Sequence, residues 1–142
     1  MQVKDKIVVV TGAAGGIGAA MADCFAAAGA KRVVCADLNE AGAQAVAERI
    51  GGIAMGCNVG VEAEIAALIE RTEAEVGPID LFCSNAGILS IGGVEVPDAE
   101  WQRIWEVNVM AHVWAARHMV PRMSARGGGY LLNTASAAGL LN

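Results

Sequence analysis

The chain has 142 residues, 55% of them apolar and 18% charged, with a formal net charge of −5 and a sequence pI ≈ 4.9. That length suits one domain, and the apolar share excludes a disordered chain. The acidic balance argues against a nucleic-acid partner, and ten scattered Lys and Arg leave no polybasic cluster for a membrane surface.

The run Ile7-Val8-Val9-Val10 predicts a first strand over residues 6–11. It feeds Thr11-Gly12-Ala13-Ala14-Gly15-Gly16-Ile17-Gly18 and then a helical pattern over 16–28, with Ile17, Met21, Cys24, Phe25 and Ala28 on one face. Strand, glycine turn and helix start together make a phosphate-binding site, because the helix N-terminus carries about half a positive charge and unpaired N–H groups. In this reading Gly12 makes the tight turn, Gly16 lets backbone approach a pyrophosphate, and Gly18 lets the helix pack on the strand. Residues 7–30 hold a single charge, Asp23, but five glycines interrupt them, so they read as part of a domain and not as a secretory leader.

Gly29 stops the first helix, and a second strand follows over 32–37. Asn39 can cap a second helix that ends near Ile50, before Gly51-Gly52. A third strand covers 53–58. The third helix shows the cleanest period, Val61, Ile65, Leu68, Ile69, Thr72 and Val76, and Gly77-Pro78 ends it. A fourth strand covers 79–84. After a loop, Asp98 can cap a long fourth helix reaching about residue 124. Gly127-Gly128-Gly129 turns the chain into a fifth strand over 130–135.

Strands alternating with helices imply a parallel sheet covered on both faces, a Rossmann-like doubly wound α/β fold of strand order 3-2-1-4-5. Ligands in such sheets bind beyond the C-terminal strand ends, at the switch point between strands 1 and 4. Asp37 ends strand 2, 19 residues after Gly18, where a carboxylate can accept from both ribose hydroxyls of NAD. A 2′-phosphate at ~4 Å would be repelled by about 4 kcal/mol at an effective dielectric of 20. Ala13, Ala14, Leu38 and Asn39 offer no cation to offset this, so NAD is expected over NADP, with Leu38 beside Asp37 in the cofactor set. The other reading of Asp37, a cap on helix 2, is better filled by Asn39.

Cys24, Cys35, Cys57 and Cys83 have no metal or redox spacing and are expected to be buried, reduced thiols. His112 and His118 lie six apart on one helix, which does not make a metal pair, and no metal site is expected.

The glycine spacing here is Gly-xxx-Gly-x-Gly. With Ser84-Asn85-Ala86-Gly87 after strand 4, Val107-Asn108-Val109 in helix 4 and Asn133-Thr134-Ala135-Ser136-Ala137-Ala138-Gly139 after strand 5, the chain resembles the short-chain dehydrogenase/reductase family along its whole length. The resemblance implies that Gly12, Gly16, Ile17 and Gly18 hold a diphosphate and Asp37 the adenosine ribose. It implies that Asn58 and Val59 border the adenine. The family usually has Asp-Val there, and Asn58 keeps a carbonyl acceptor for the adenine amine. Asn85, Ala86 and Gly87 would line the cofactor cleft, with Ser84 standing where many members carry a first asparagine. Asn108 matches the asparagine that supports a proton relay; its alternative is a helix asparagine facing water. Ser136 matches the serine that hydrogen-bonds the substrate carbonyl; its alternative is an ordinary loop hydroxyl. Trp101, Trp105 and Trp114 read as helix-packing or interface residues.

The family's Tyr-x-x-x-Lys pair does not occur within these 142 residues. Tyr130 is the only tyrosine, about 20 Å along strand 5 from Ser136. Lys4, Lys6 and Lys31 precede strands 1 and 2, at the opposite edge. The expectation is one dinucleotide-binding domain over 1–142, C-terminally incomplete against the family pattern and lacking its last two strands. Its chemistry is that of a cytoplasmic NAD(H)-dependent oxidoreductase on a small alcohol or carbonyl, not competent for turnover as this chain. A non-catalytic dinucleotide-binding module or truncated subunit is the alternative. An unpaired fifth strand and the flank of helix 4, with Trp105, Val109 and Trp114, are expected to favour a homo-oligomer over a stable monomer. Ile88, Leu89 and Ile91 suggest an apolar wall, but the substrate is not legible.

Overall fold

The computed structural model describes residues 2–137. Strand β1 (Ile7–Thr11) leads to helix α1 (Gly16–Ala27), β2 (Arg32–Asp37) to α2 (Glu40–Ile50), β3 (Ile53–Gly56) to α3 (Glu62–Glu75), and β4 (Leu81–Ser84) to α4 (Asp98–Trp105). A π-helical segment, Glu106–Met110, joins α4 to α5 (Ala111–Ala125), and β5 (Tyr130–Asn133) follows. The strands pair in parallel in the order β3-β2-β1-β4-β5, as the alternation predicts.

The period of two along each strand sends alternate side chains to opposite layers. Val8, Val10, Val33 and Cys35 meet Ala22 of α1 and Ala43, Val46 and Ala47 of α2. Val9, Val34 and Phe82 meet Ile65, Leu68 and Ile69 of α3 and Ala115 and Met119 of α5. Both faces of β1 are therefore covered, which is why it reads as a continuous apolar run. On the second layer, Arg117 binds Glu62 at 2.6 Å and Arg126 binds Glu73 at 2.7 Å, fastening α5 to α3.

Several local expectations are corrected. The buried residues of α1 are Gly18 and Ala22, with Met21 and Phe25 packed at the margin; Ile17 is 65% exposed, and Cys24 and Ala28 are exposed too. Small residues carry the contact because α1 lies against backbone, so the large apolar positions turn outward. The long fourth helix is interrupted by the π segment, whose extra residue per turn shifts the register of α5 relative to α4. Pro97, not Asp98, occupies the N-cap of α4, and Asp98 contributes a favourable charge to the first turn. Strands 3 and 5 end earlier than expected, but Cys57 N–H still donates to the Asp37 carbonyl at 3.0 Å and Thr134 N–H to that of Ser84 at 3.0 Å. Of the four cysteines, Cys24 is exposed and the other three are buried. Ala138 and Gly139 of the last motif lie outside the described residues.

Among the described residues β5 has one neighbour, β4, and exposes Tyr130 and Leu132 on its surface. Trp101 and Trp105 stand exposed on α4, whereas Trp114 packs against the α3–α5 core layer. No described helix is long and apolar enough to cross a membrane.

Burial pushes the Cys35 thiol up to about 11 and those of Cys57 and Cys83 up to about 12, from an ordinary 9.0. Folded thiols hold protons that unfolded thiols release, so this contribution is present below about pH 9 and is lost as pH rises toward those values. Urea melts are expected to show a lower midpoint at about pH 10 than at about pH 8, with a smaller drop in a Cys35→Ala, Cys83→Ala variant. A thiol reagent is expected to label Cys24 alone in the native chain and all four cysteines after unfolding.

Candidate functional site

The site forms where β1 ends. Gly12 takes φ +69, and a Cβ there would stand 2.8 Å from the Ala86 Cα atom. A Cβ on Gly18 would stand 2.0 Å from the Gly12 carbonyl oxygen. Only glycine permits both approaches. Gly15 and Gly16 differ, because a Cβ on either would meet nothing within 4 Å. Open space therefore lies over the loop at the start of α1. That helix has no side-chain cap and no acidic residue in its first turn. Its unpaired amides and partial positive charge remain available to an anion.

Asp37 closes one side. One carboxylate oxygen accepts from Ala14 N–H and the other from Asn39 N–H, both at 2.9 Å. These bonds tie the end of β2 to the glycine loop and hold the carboxylate in one orientation, with lone pairs left for further donors. Asn39 also accepts from Gly42 N–H at 3.1 Å, which is the cap expected for α2.

The other side is a polar brace. Thr11 Oγ1 accepts from Asn85 N–H at 3.0 Å and from Ala86 N–H at 3.2 Å, and donates to the Cys83 carbonyl at 3.2 Å. Asn85 Nδ2 donates to the Thr11 carbonyl at 3.1 Å, and its Oδ1 accepts from Thr134 Oγ1 at 3.0 Å. One asparagine thus links the ends of β1, β4 and β5. Asn108, within the π segment, pairs with the Ile88 backbone: Nδ2 donates to the carbonyl at 2.8 Å and Oδ1 accepts from the N–H at 2.9 Å. Its amide anchors the loop after β4 and does not face open water. His112 Nδ1 lies 3.2 Å from Asn133 Oδ1, joining α5 to the end of β5.

These elements enclose a cleft of about 710 Å³, within the usual size of a small-molecule site. Gly12, Ile17, Gly18, Asp37 and Leu38 line it, as do Asn58, Val59, Asn85, Ala86 and Gly87. Gly16 begins α1 beside it, at φ +53. Asn108 stands behind the lining, acting on it through Ile88. Ser136 is exposed, three residues beyond the end of β5. Ile88 lines it too, as the expected apolar wall, whereas sequence reasoning missed Gly15, Asn39, Cys57, Val107 and Thr134 on the wall. Thr134 follows a strand end, a signal that could have found it, whereas Val107 reaches the cleft from the π segment. Among the lining residues Asp37 carries the one formal charge.

Asn58 is held by its own turn, with a second lone pair of its amide oxygen left to accept. Its Oδ1 accepts from Gly60 N–H at 3.0 Å, and its own N–H donates to Glu64 at 2.6 Å.

A family model described as short chain dehydrogenase matches residues 6–142. An uncharacterized oxidoreductase of Bacillus subtilis is 37% identical over 99% of this chain and 54% of its own length. The D-threitol dehydrogenase of Mycolicibacterium smegmatis is 34% identical over 94% of this chain and 53% of its own length. A solved 7α-hydroxysteroid dehydrogenase, complexed with NADH and 7-oxo glycochenodeoxycholic acid, superposes with a TM-score of 0.91 at 32% identity, covering 99% of this chain and 57% of that one. The chain spans about half the length of the curated relatives it matches.

The two kinds of glycine predict opposite outcomes. Gly18→Ala must displace backbone and is expected to cost about 1–3 kcal/mol in a denaturant melt. Gly15→Ala, extended at φ −173 with open space around its Cβ, is expected to leave the midpoint unchanged. Asn108→Ala removes both bonds to Ile88 and is expected to speed amide exchange in the loop after β4.

Proposed function

The chain belongs to the short-chain dehydrogenase family, and from that premise we propose that it forms the NAD(H)-binding part of an oxidoreductase acting on a small alcohol or carbonyl compound. One observation carries the reading. An uncapped helix N-terminus opens on a cleft whose one charged wall residue is Asp37, held by two backbone amides at the end of β2. The first feature suits a diphosphate and the second a ribose diol. No cation on the wall offsets Asp37 against a 2′-phosphate, which supports NAD over NADP.

In this reading Gly12 and Gly18 shape the diphosphate loop, Gly16 and Ile17 offer first-turn amides, and Asp37 and Leu38 hold the adenosine ribose. Asn58 and Val59 border the base. Asn85, Ala86 and Gly87 form the floor toward the nicotinamide, which when bound accepts or donates the hydride. Ser136 donates a hydrogen bond to the substrate oxygen, and Asn108 positions the facing loop through Ile88. The named alcohols of two relatives, a tetritol and a hydroxysteroid, support an alcohol or carbonyl substrate without choosing its skeleton.

Within these 142 residues we assign no general acid or base. Tyr130, the one tyrosine, pairs with Leu81 at the N-terminal edge of the sheet. A hydroxyl such as that of Ser136 is too weak an acid to replace one at neutral pH. That observation favours a second reading of this chain by itself, a dinucleotide-binding module without turnover. Exposed Trp101 and Trp105 support a homo-oligomer, and four free cysteines support a reducing, cytoplasmic setting.

Titration with NADH, followed by nicotinamide fluorescence, is expected to saturate, with NADPH binding at least about tenfold more weakly. Asp37→Ala is expected to weaken NADH by about tenfold or more and to narrow the gap to NADPH. Equal affinity for the two dinucleotides in the wild-type chain would defeat the NAD assignment. Steady oxidation of NADH by the 142-residue chain would defeat the absence of an acid or base.

A further inference from the structure

Gly60, in the turn after β3, is short of room, although its φ lies outside the left-handed region. A Cβ there would stand 3.2 Å from Val107 Cγ2 and 3.2 Å from Asn58 Oδ1, so a neighbour would have to give by a few tenths of an ångström. Val107 belongs to the π segment, is half-buried, and packs against the α3–α5 core layer. The next residue, Asn108, holds the Ile88 backbone by bonds of 2.8 and 2.9 Å, and a Cβ on Gly87 would lie 3.4 Å from its Oδ1. Two successive residues of one helical turn therefore meet opposite sides of the cleft. Val107 meets the turn after β3, and Asn108 meets the loop after β4.

We infer that the π segment is a mechanical link between those two sides, with Val107 as its positioning residue: displacement of the turn at Gly60 presses Val107, and the shift reaches Ile88 through Asn108. A valine in a helical turn keeps one strongly preferred χ1 rotamer, so its methyl does not swing aside at low cost. The core layer behind Val107 is close-packed and resists retreat of the side chain as a unit. The backbone of the π turn is what yields, and Asn108 shares that backbone. Its paired bonds to Ile88 depend on distance and angle and weaken when the amide is turned. The turn after β3 and the loop after β4 therefore adjust together. This link is a property of the free chain and does not depend on what binds in the cleft.

Amide hydrogen exchange of the 142-residue chain, read at Ile88 by NMR, tests the link. Gly60→Ala is expected to speed exchange at Ile88 by about threefold or more and to leave the amides of β1 unchanged. Val107→Ala removes the pressed methyl, and in a double-mutant cycle it is expected to cancel the effect of Gly60→Ala, a rescue that general loosening would not produce. With Asn108→Ala already present, Gly60→Ala is expected to change Ile88 no further. Val107→Ile crowds the same contact from the helix side and is expected to act as Gly60→Ala does. A thermal melt checks that each variant is folded, and one folded variant of the two suffices. Exchange at Ile88 that stays unmoved, that quickens equally in β1, or that Val107→Ala does not relieve overturns the link. Failure of both variants to fold overturns it as well, because the contact then serves the stability of the whole domain.

Discussion

Backbone meets backbone at the end of β1, and the geometry of the cleft follows from that contact. The turn at Gly12 presses its carbonyl where Gly18 would carry a Cβ, and its Cα against Ala86. At this junction of the first strand, the first helix and the turn after the fourth strand, the Asn85 amide is the neighbouring side chain that a Cβ on Gly12 or Gly18 would meet. This closeness aims the open end of α1 along the strand ends instead of over a loop. It also explains why α1 buries only Gly18 and Ala22. The helix is seated by the absence of side chains, so its larger apolar residues are left for the margin and for the cleft.

Around that contact the sheet carries a small polar brace inside an apolar core. Thr11, at 3% exposure, uses its hydroxyl three times, and Asn85 uses both ends of its amide. Each bond is modest by itself, but leaving the buried Thr11 hydroxyl unpaired would cost about 1–3 kcal/mol. The result is a rigid frame joining β1, β4 and β5 at their C-terminal ends. The loop after β4 is fastened to this frame's neighbour by Asn108 and presents Leu89, Ile91 and Val94 to solvent. A braced floor beside an exposed apolar rim separates the shared part of such a fold from the part that varies between relatives.

Much of this was legible from residue order. Alternation of β-branched runs with 3.6-period segments implied the parallel sheet and its order, because right-handed crossovers leave few choices. The glycine spacing indicated the turn, and Asp37 stood at the expected distance beyond it. The failures were also physical. Nothing in Val107-Asn108-Val109 announces a π segment, whose extra residue per turn is a matter of packing and not of local pattern. The face of α1 was misjudged because hydrophobic periodicity weighs side-chain size, whereas contact with backbone rewards its absence. The bond from Gly60 N–H to Asn58 Oδ1 was not foreseen either, because it forms only once the turn after β3 takes its shape.

From sequence alone came the class of fold, the strand order, the glycine turn after β1 and the carboxylate at the end of β2, since each depends on spacing within a few turns of chain. Tertiary structure decided which atoms those residues present. It set the amide of Asn108 against Ile88, gathered Ile88, Val107 and Thr134 into the wall, and tied the Asn58 side chain to Gly60. Such outcomes depend on bonds between residues distant in the chain, and no local pattern records which partner prevails.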